Sequence, residues 1–132
     1  MVTEDDVRRI ALGLPETSER TYNRLPGFQV RKQLFIRIHE LDDTLLVSCA
    51  DLEERNELLA AEPDTFFITP HYEGYPAVLV RLGQVDRDEL TELITESWRL
   101  NAPKRLLAAF DKEHPAAPAG REPLARRLGR EG

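Results

Sequence analysis

Apolar residues recur every three to four positions in three segments of the chain, which is the spacing of amphipathic helices. The first helix follows Thr3 and stops at Pro15, and the second covers about residues 52–62. The third begins after Asp86, where a glutamate three positions later completes a capping pattern. Pro103 suits the first position of a further short helix. The pattern therefore predicts helices, and in the segments between them the apolar residues recur at a different spacing.

Those intervening segments are rich in β-branched and aromatic residues, and several alternate apolar with polar positions, which predicts strands. The strands are expected at residues 28–31, 34–39, 44–49, 65–69 and 77–82. The first two join tightly at Lys32-Gln33, and the segment from Glu16 to Pro26 is interpreted as a polar connection. Short connections favour antiparallel pairing, and helices on one side of a single sheet bury their apolar stripes. The expected fold is α+β and two-layered, with a five-stranded, mainly antiparallel sheet, helices on one face and the order αβββαββα.

The chain has 132 residues, enough for one compact domain, which is expected at residues 1–110 with a flexible basic tail at 111–132. No apolar run approaches the roughly 20 residues that cross a bilayer, and the acidic N-terminus lacks the features of a secretory signal. A cytoplasmic protein without a membrane partner is therefore expected. The net charge is −6, to which residues 1–98 contribute −10 and residues 99–132 contribute +4. An acidic body argues against broad, charge-driven binding to nucleic acid, whereas the basic tail favours it.

Residues with catalytic or metal-binding chemistry form no pattern typical of an enzyme. A nucleophile beside a base, paired catalytic carboxylates and a glycine-rich phosphate loop are not found at supportive spacing. Cys49, the single cysteine, closes an apolar run and is interpreted as a small buried hydrophobe. His39, His71 and His114 are far apart in sequence, so no metal site is expected. The chain is interpreted as a non-enzymatic protein without a cofactor.

Several short motifs follow one another along the chain. They are Leu14-Pro15-Glu16, Phe28-x-Val30, Leu34-Phe35, Arg55 with Leu58-Leu59 and Pro63, Val85-Asp86, Glu89-Leu90, Trp98 and Ala102-Pro103-Lys104. In their order and spacing the chain resembles the MmcQ/YjbR-like family over roughly residues 3–107, although each motif is largely structural. The resemblance implies a small two-layer α+β domain similar to secretion-chaperone-like folds. It also implies a DNA-binding role, which for the family rests on likeness to winged DNA-binding shapes.

One turn departs from the family pattern. Where family members often carry a Gly-Lys pair before the Leu/Phe strand, this chain has Lys32-Gln33. The turn keeps a cation and loses the glycine. A role assigned to a family lysine at that turn therefore does not transfer to this chain.

Cations of the predicted first hairpin supply a candidate DNA-binding surface, in which the hairpin acts as a wing-like element. The residues predicted to contact DNA are Arg24, Arg31, Lys32, Arg37, Lys104 and Arg105. Arg126, Arg127 and Arg130 of the tail would add phosphate contacts. Strand alternation and a helix end explain the same charges as ordinary solvated residues, so that alternative stays open.

The segment 69–76 gathers two tyrosines, a histidine and a carboxylate between two apolar strands, at the expected tip of a long-looped hairpin. Its candidate binding residues are His71, Tyr72, Glu73 and Tyr75, which offer aromatic faces for stacking and groups for hydrogen bonding. They predict, as an alternative to DNA, a protein partner or a small ligand. The competing interpretation is that both tyrosines pack back onto the sheet while Gly74 permits the turn. The orientation of the two tyrosines decides between these interpretations.

Overall fold

The computed structural model describes residues 2–22, 24–113, 124–125 and 128. Within these residues the chain forms four α-helices, six β-strands and a short 3₁₀ helix at Pro70–Tyr72. The α-helices are α1 (Glu4–Leu12), α2 (Leu52–Ala61), α3 (Arg87–Asn101) and α4 (Lys104–Glu113). The strands are β1 (Thr17–Tyr22), β2 (Leu25–Val30), β3 (Gln33–Ile38), β4 (Thr44–Ser48), β5 (Phe66–Phe67) and β6 (Ala77–Arg81).

The strands form one sheet in the order β1-β2-β3-β4-β6-β5, and every neighbouring pair is antiparallel. The expected α+β class and antiparallel sheet are confirmed, but the sheet has six strands where five were expected. The additional strand is β1, which lies in the segment interpreted as a polar connection. β1 is an edge strand with mostly exposed residues, so no apolar run marks it in the sequence. It nevertheless pairs with β2 along its whole length, from Thr17 opposite Val30 to Tyr22 opposite Leu25.

The helices cover one face of the sheet and enclose the core with it. The fully buried side chains include Phe28, Ile36, Leu45, Ile94 and Trp98. Burial of a large apolar side chain stabilises the fold by roughly 1.5–3 kcal/mol. Two polar contacts fix α3 within this layer: Ser97 Oγ donates to the Phe35 carbonyl at 2.8 Å, and Trp98 Nε1 donates to the Pro15 carbonyl at 3.1 Å. α3 is therefore tied both to the sheet and to the segment that follows α1.

A β-bulge between β2 and β3 changes which residues share a face. Phe28 pairs with Ile36, but the next residue, Gln29, pairs with Leu34, so Phe35 is the extra residue. Phe35 and Ile36 both lie in the buried core. Leu34 consequently shares a face with Gln29, on the side of the sheet opposite the helices, because residues directly opposite each other point the same way. We call that side the outer face.

Side-chain caps begin the first three helices, as the sequence pattern predicts. Thr3, Asp51 and Asp86 each accept a hydrogen bond from the backbone N–H three residues further on, at 3.3, 2.8 and 3.0 Å. A cap of this kind stabilises a helix by about 1 kcal/mol. The helix starts are therefore fixed by local chemistry as well as by packing.

The last helix extends past the expected domain boundary, to Glu113. Of the residues predicted to form a flexible tail, 111–113, 124, 125 and 128 are described, and among these Leu124 and Ala125 are buried. The Leu124 N–H donates to Glu96 Oε2 at 2.8 Å. The tail cations Arg126, Arg127 and Arg130 and the histidine at 114 lie outside the described residues, so a mobile tail stays a prediction. In the described ranges no helix combines the length and apolarity that crossing a bilayer requires.

Candidate functional site

A row of residues crosses the outer face from one edge of the sheet to the other. Through the strand registers it runs Arg20, Gly27, Arg37, Leu46, Leu79 and Phe67. The Cα atoms of Arg20 and Arg37 are about 10 Å apart, since neighbouring strands lie ~4.8 Å from each other. Gly27 between them leaves room for the Tyr22 ring, because a Cβ on Gly27 would lie 2.4 Å from Tyr22 Cδ2. The outer face thus carries two arginines beside a tyrosine ring.

The loop 69–76 folds back over this face. Tyr72 is only 8% exposed, and its hydroxyl accepts a hydrogen bond from Arg37 Nη2 at 3.1 Å. Tyr75 is 57% exposed. Each interpretation of the tyrosines therefore holds for one of them: Tyr72 packs back onto the sheet, and Tyr75 remains accessible to a ligand.

Arg55 of α2 fixes the conformation of the loop from the other side. Its side chain is buried, and Nη1 donates to the backbone carbonyls of Tyr72, Glu73 and Tyr75 at 2.9, 2.8 and 3.2 Å. Hydrogen bonds from a charged donor are roughly twice as strong as neutral ones. Three loop carbonyls converge on one guanidinium, so the loop is held in one conformation without strand pairing of its own.

An open groove of about 520 Å³ lies between β3 and the loop. It is lined by Arg37, His39, Glu40, Thr69, His71 and Tyr72. Arg37 Nη1 donates to Glu40 Oε1 at 3.0 Å, and the His71 and Tyr72 ring centroids are 4.8 Å apart in an edge-on arrangement. Arg37, predicted to contact DNA, and His71 and Tyr72, predicted for another ligand, therefore meet in one groove. Glu73 and Tyr75 of the predicted set flank it on the same loop.

His39 forms part of the groove wall in a defined tautomer. Its side chain is 9% exposed, and Nδ1 accepts a hydrogen bond from the Leu41 N–H at 3.2 Å, so the neutral ring carries its proton on Nε2. Burial lowers the pKa of His39, and the neighbouring Glu40 partly offsets this. A hydrogen bond from Arg37 lowers the pKa of Glu40. At neutral pH the groove thus holds a neutral imidazole beside a guanidinium–carboxylate pair.

The six cations predicted to contact DNA do not lie together. Arg24 lies at the turn between β1 and β2, whereas Arg31 and Lys32 lie at the opposite end of β2. Arg31 Nε is 2.8 Å from Glu16 Oε1 in an exposed ion pair. Lys104 and Arg105 begin α4, which packs through Phe110 on Trp98 in the helical layer. Only Arg37 of the six lines the groove.

Charge is divided unequally between the two layers. The six strands carry three arginines and one glutamate, Glu19, which pairs with Arg8 of α1 at 2.8 Å. Helices α1–α3 carry ten acidic residues against five arginines. All three strand arginines, Arg20, Arg37 and Arg81, belong by register to the outer face. The strands are therefore net positive, whereas helices α1–α3 are net negative.

The sequence and the fold were compared with those of known proteins to find the family of this chain. The model of the family described as YjbR matches residues 12–100. The chain belongs to the YjbR family. Among its relatives are uncharacterised proteins of Mycobacterium bovis and Mycobacterium tuberculosis, 38% identical over 83% of this chain and 96% of theirs. The crystal structure of a Deinococcus radiodurans protein with the family-model domain DUF419 is similar at a TM-score of 0.68, with 25% identity over 92% of this chain and 96% of that one.

Three arginines of the site are not among the residues predicted from the sequence. Arg20 lies on the unrecognised edge strand, and Arg81 lies at the end of β6 with its guanidinium 4.1 Å from the Phe67 ring centroid. Arg55 belongs to a family motif that predicts no role for it at the loop. Its burial has no local signal, because the loop carbonyls that it binds lie 17 to 20 residues away.

Proposed function

We propose that this YjbR-family chain is a non-catalytic binding protein and that its outer face binds DNA. The unequal distribution of charge carries the proposal: the strands present three arginines on the outer face, and their one carboxylate, Glu19, pairs with Arg8 of α1. Local cation density, and not the net charge of −6, sets the attraction of a face for phosphates.

Three features of the outer face suit a nucleic acid. Arg20 is exposed, and within the described residues it has no ion-pair partner. Tyr75 offers an exposed ring on which a base can stack, a contact worth about 1–3 kcal/mol per base. Arg81 keeps its charge accessible at the surface while its guanidinium lies over Phe67. Cations interleaved with aromatic rings are the arrangement by which many proteins bind single strands.

The test is fluorescence anisotropy of labelled duplex and single-stranded DNA at low salt. We expect binding that weakens steeply as salt rises, because phosphate contacts release counterions. Arg20→Glu should weaken it by about tenfold, whereas the matched charge reversal Arg105→Glu on the helical layer should leave it unchanged. Failure to bind either DNA at low salt, or equal effects of the two reversals, would contradict the proposal.

A partner that docks on the loop is the second candidate, and the exposure of Tyr75 on a rigidly held loop favours it. A protein or small ligand recognised there would lose affinity in Tyr75→Ala. Thermal stability should stay within ~0.5 kcal/mol of the unmodified chain, as for other surface substitutions. A large loss of stability would instead make Tyr75 a packing residue.

A further inference from the structure

The guanidinium of Arg37 has more donors than the protein uses. Its acceptors in the described residues are the Ile38 carbonyl at 3.4 Å, Glu40 Oε1 at 3.0 Å and the Tyr72 hydroxyl at 3.1 Å, all reached through Nη1 or Nη2. Among the described residues its Nε–H has no acceptor. The side chain is only 13% exposed and lines the groove, and its hydrogen bonds through Nη1 and Nη2 hold the guanidinium in place there. A fixed guanidinium edge is the geometry that grips a carboxylate or a phosphate.

Aromatic rings stand beside that donor. His71 contacts Tyr72 edge-on at 4.8 Å between centroids and lies nearly parallel to Tyr75, at 6.0 Å and 26°. Because Arg55 holds the backbone that carries Tyr72 and Tyr75, little ordering of the loop is needed on binding. The groove therefore offers a preformed ring surface next to an oxyanion donor.

The electrostatics of the groove set the expected strength of binding. Glu40 and Arg37 neutralise each other, and His39 is uncharged, so the lining has little net charge to attract an anion from a distance. Affinity must come from hydrogen bonds and ring contact, which predicts weak salt dependence. This differs from the DNA proposal, which requires steep salt dependence.

We propose that this groove binds a small planar ring that carries an oxyanion, with the oxyanion on Arg37 and the ring against His71 and Tyr72. Two sources share this chemistry: a free aromatic carboxylate and a nucleotide whose base and phosphate supply the ring and the oxyanion. The inference does not depend on DNA binding by the outer face.

Calorimetric titration of the full chain with benzoate and with adenosine monophosphate tests the inference. Benzyl alcohol, a ring without an anion, and inorganic phosphate, an anion without a ring, serve as ligand controls. Arg37→Met removes the oxyanion donor, and the exposed His71→Ala removes ring surface without touching the sheet. Arg20→Met is the matched control, since it deletes an arginine of the same face outside the groove lining.

We expect benzoate, adenosine monophosphate or both to bind more tightly than either control ligand, and each groove variant to weaken that binding by about tenfold or more. Arg20→Met should leave it unchanged. Preference for benzoate would assign the site to free aromatic acids, and preference for the nucleotide would assign it to nucleotides. The inference is overturned if neither ring anion binds at about 10 mM, or if a control ligand binds as tightly.

Variant data can overturn it as well. Binding that survives both Arg37→Met and His71→Ala would place the ligand elsewhere. If Arg37→Met does not fold, His71→Ala alone decides, because its side chain is exposed. If Arg20→Glu loses DNA binding but still binds the small anion, the two ligands depend on different residues and the two proposals stand or fall independently.

Discussion

Arg37 of β3 donates a hydrogen bond to the hydroxyl of Tyr72, 35 residues further along the chain, at 3.1 Å. This contact joins the open face of the sheet to the loop 69–76. Arg37, which the sequence pattern assigns to DNA, and the loop residues assigned to another ligand are consequently parts of one surface. The contact also explains why the loop lies against the sheet and does not project as a hairpin tip.

Tyr72→Phe isolates the contribution of this hydrogen bond. The ring is kept, but the Arg37 donor loses its acceptor in a site that is 13% exposed, so we expect a loss of about 1 kcal/mol in the free energy of unfolding. Tyr75→Phe is the matched control and should change stability by less than ~0.5 kcal/mol. Urea denaturation of both variants measures the difference. Equal stability of the two variants would show that the hydroxyl contact contributes nothing.

Arg55→Met tests the fixing of the loop by α2. The substitution conserves much of the side-chain volume but leaves the carbonyls of Tyr72, Glu73 and Tyr75 without this donor. We expect destabilisation of about 1–3 kcal/mol and faster amide exchange in the loop. Arg105→Met, at an exposed position of α4, controls for the loss of one arginine. Unchanged exchange at Glu73 and Tyr75 would mean that the loop is held by other contacts.

Edge exposure and long-range contacts decide how much of this structure can be predicted from the sequence. Helix caps such as Asp86, and the apolar runs of β4 and β6, are local signals and predict their elements well. β1 is not predicted, because most of its residues are exposed at the sheet edge and its sequence shows no alternation of apolar and polar residues. The bulge at Phe35 is not predicted either, since strict alternation places Phe35 and Ile36 on opposite faces.

The candidate site is harder to predict than the fold for the same physical reason. Composition singles out the aromatic loop, but the partners that orient it, Arg37 and Arg55, are distant in sequence. Whether a tyrosine is buried depends on those partners, and Tyr72 and Tyr75, three positions apart, have opposite environments.

His39 predicts a pH dependence of stability. Burial lowers its pKa in the folded state below 6.5, so the unfolded chain binds the proton more readily. The contribution of the neutral imidazole is therefore fully present above pH 6.5 and is lost as the pH falls toward the folded-state pKa. His39→Asn, which keeps an acceptor for the Leu41 N–H, should flatten the pH profile of stability in this window. The exposed His71→Asn is the control, and a profile that His39→Asn leaves unaltered would contradict the assignment.

Cys49 should be chemically inert in the folded protein. Burial raises the pKa of its thiol to about 12, so almost no thiolate forms at pH 8. We expect negligible modification by a disulfide reagent in native buffer and complete modification in denaturant. Rapid modification of the native chain would show that the strand end at Cys49 opens, and would leave room for a reactive role.

The central claim is that the outer face binds DNA. Its most direct test is to titrate the chain with single-stranded DNA at low salt and to map the amide chemical-shift changes onto the structure. We expect shifts concentrated in β1 to β3 around Arg20 and Arg37 and in the loop 69–76, and these shifts should disappear as salt is added. Shifts confined to α3 and α4, or none at all at low salt, would contradict it.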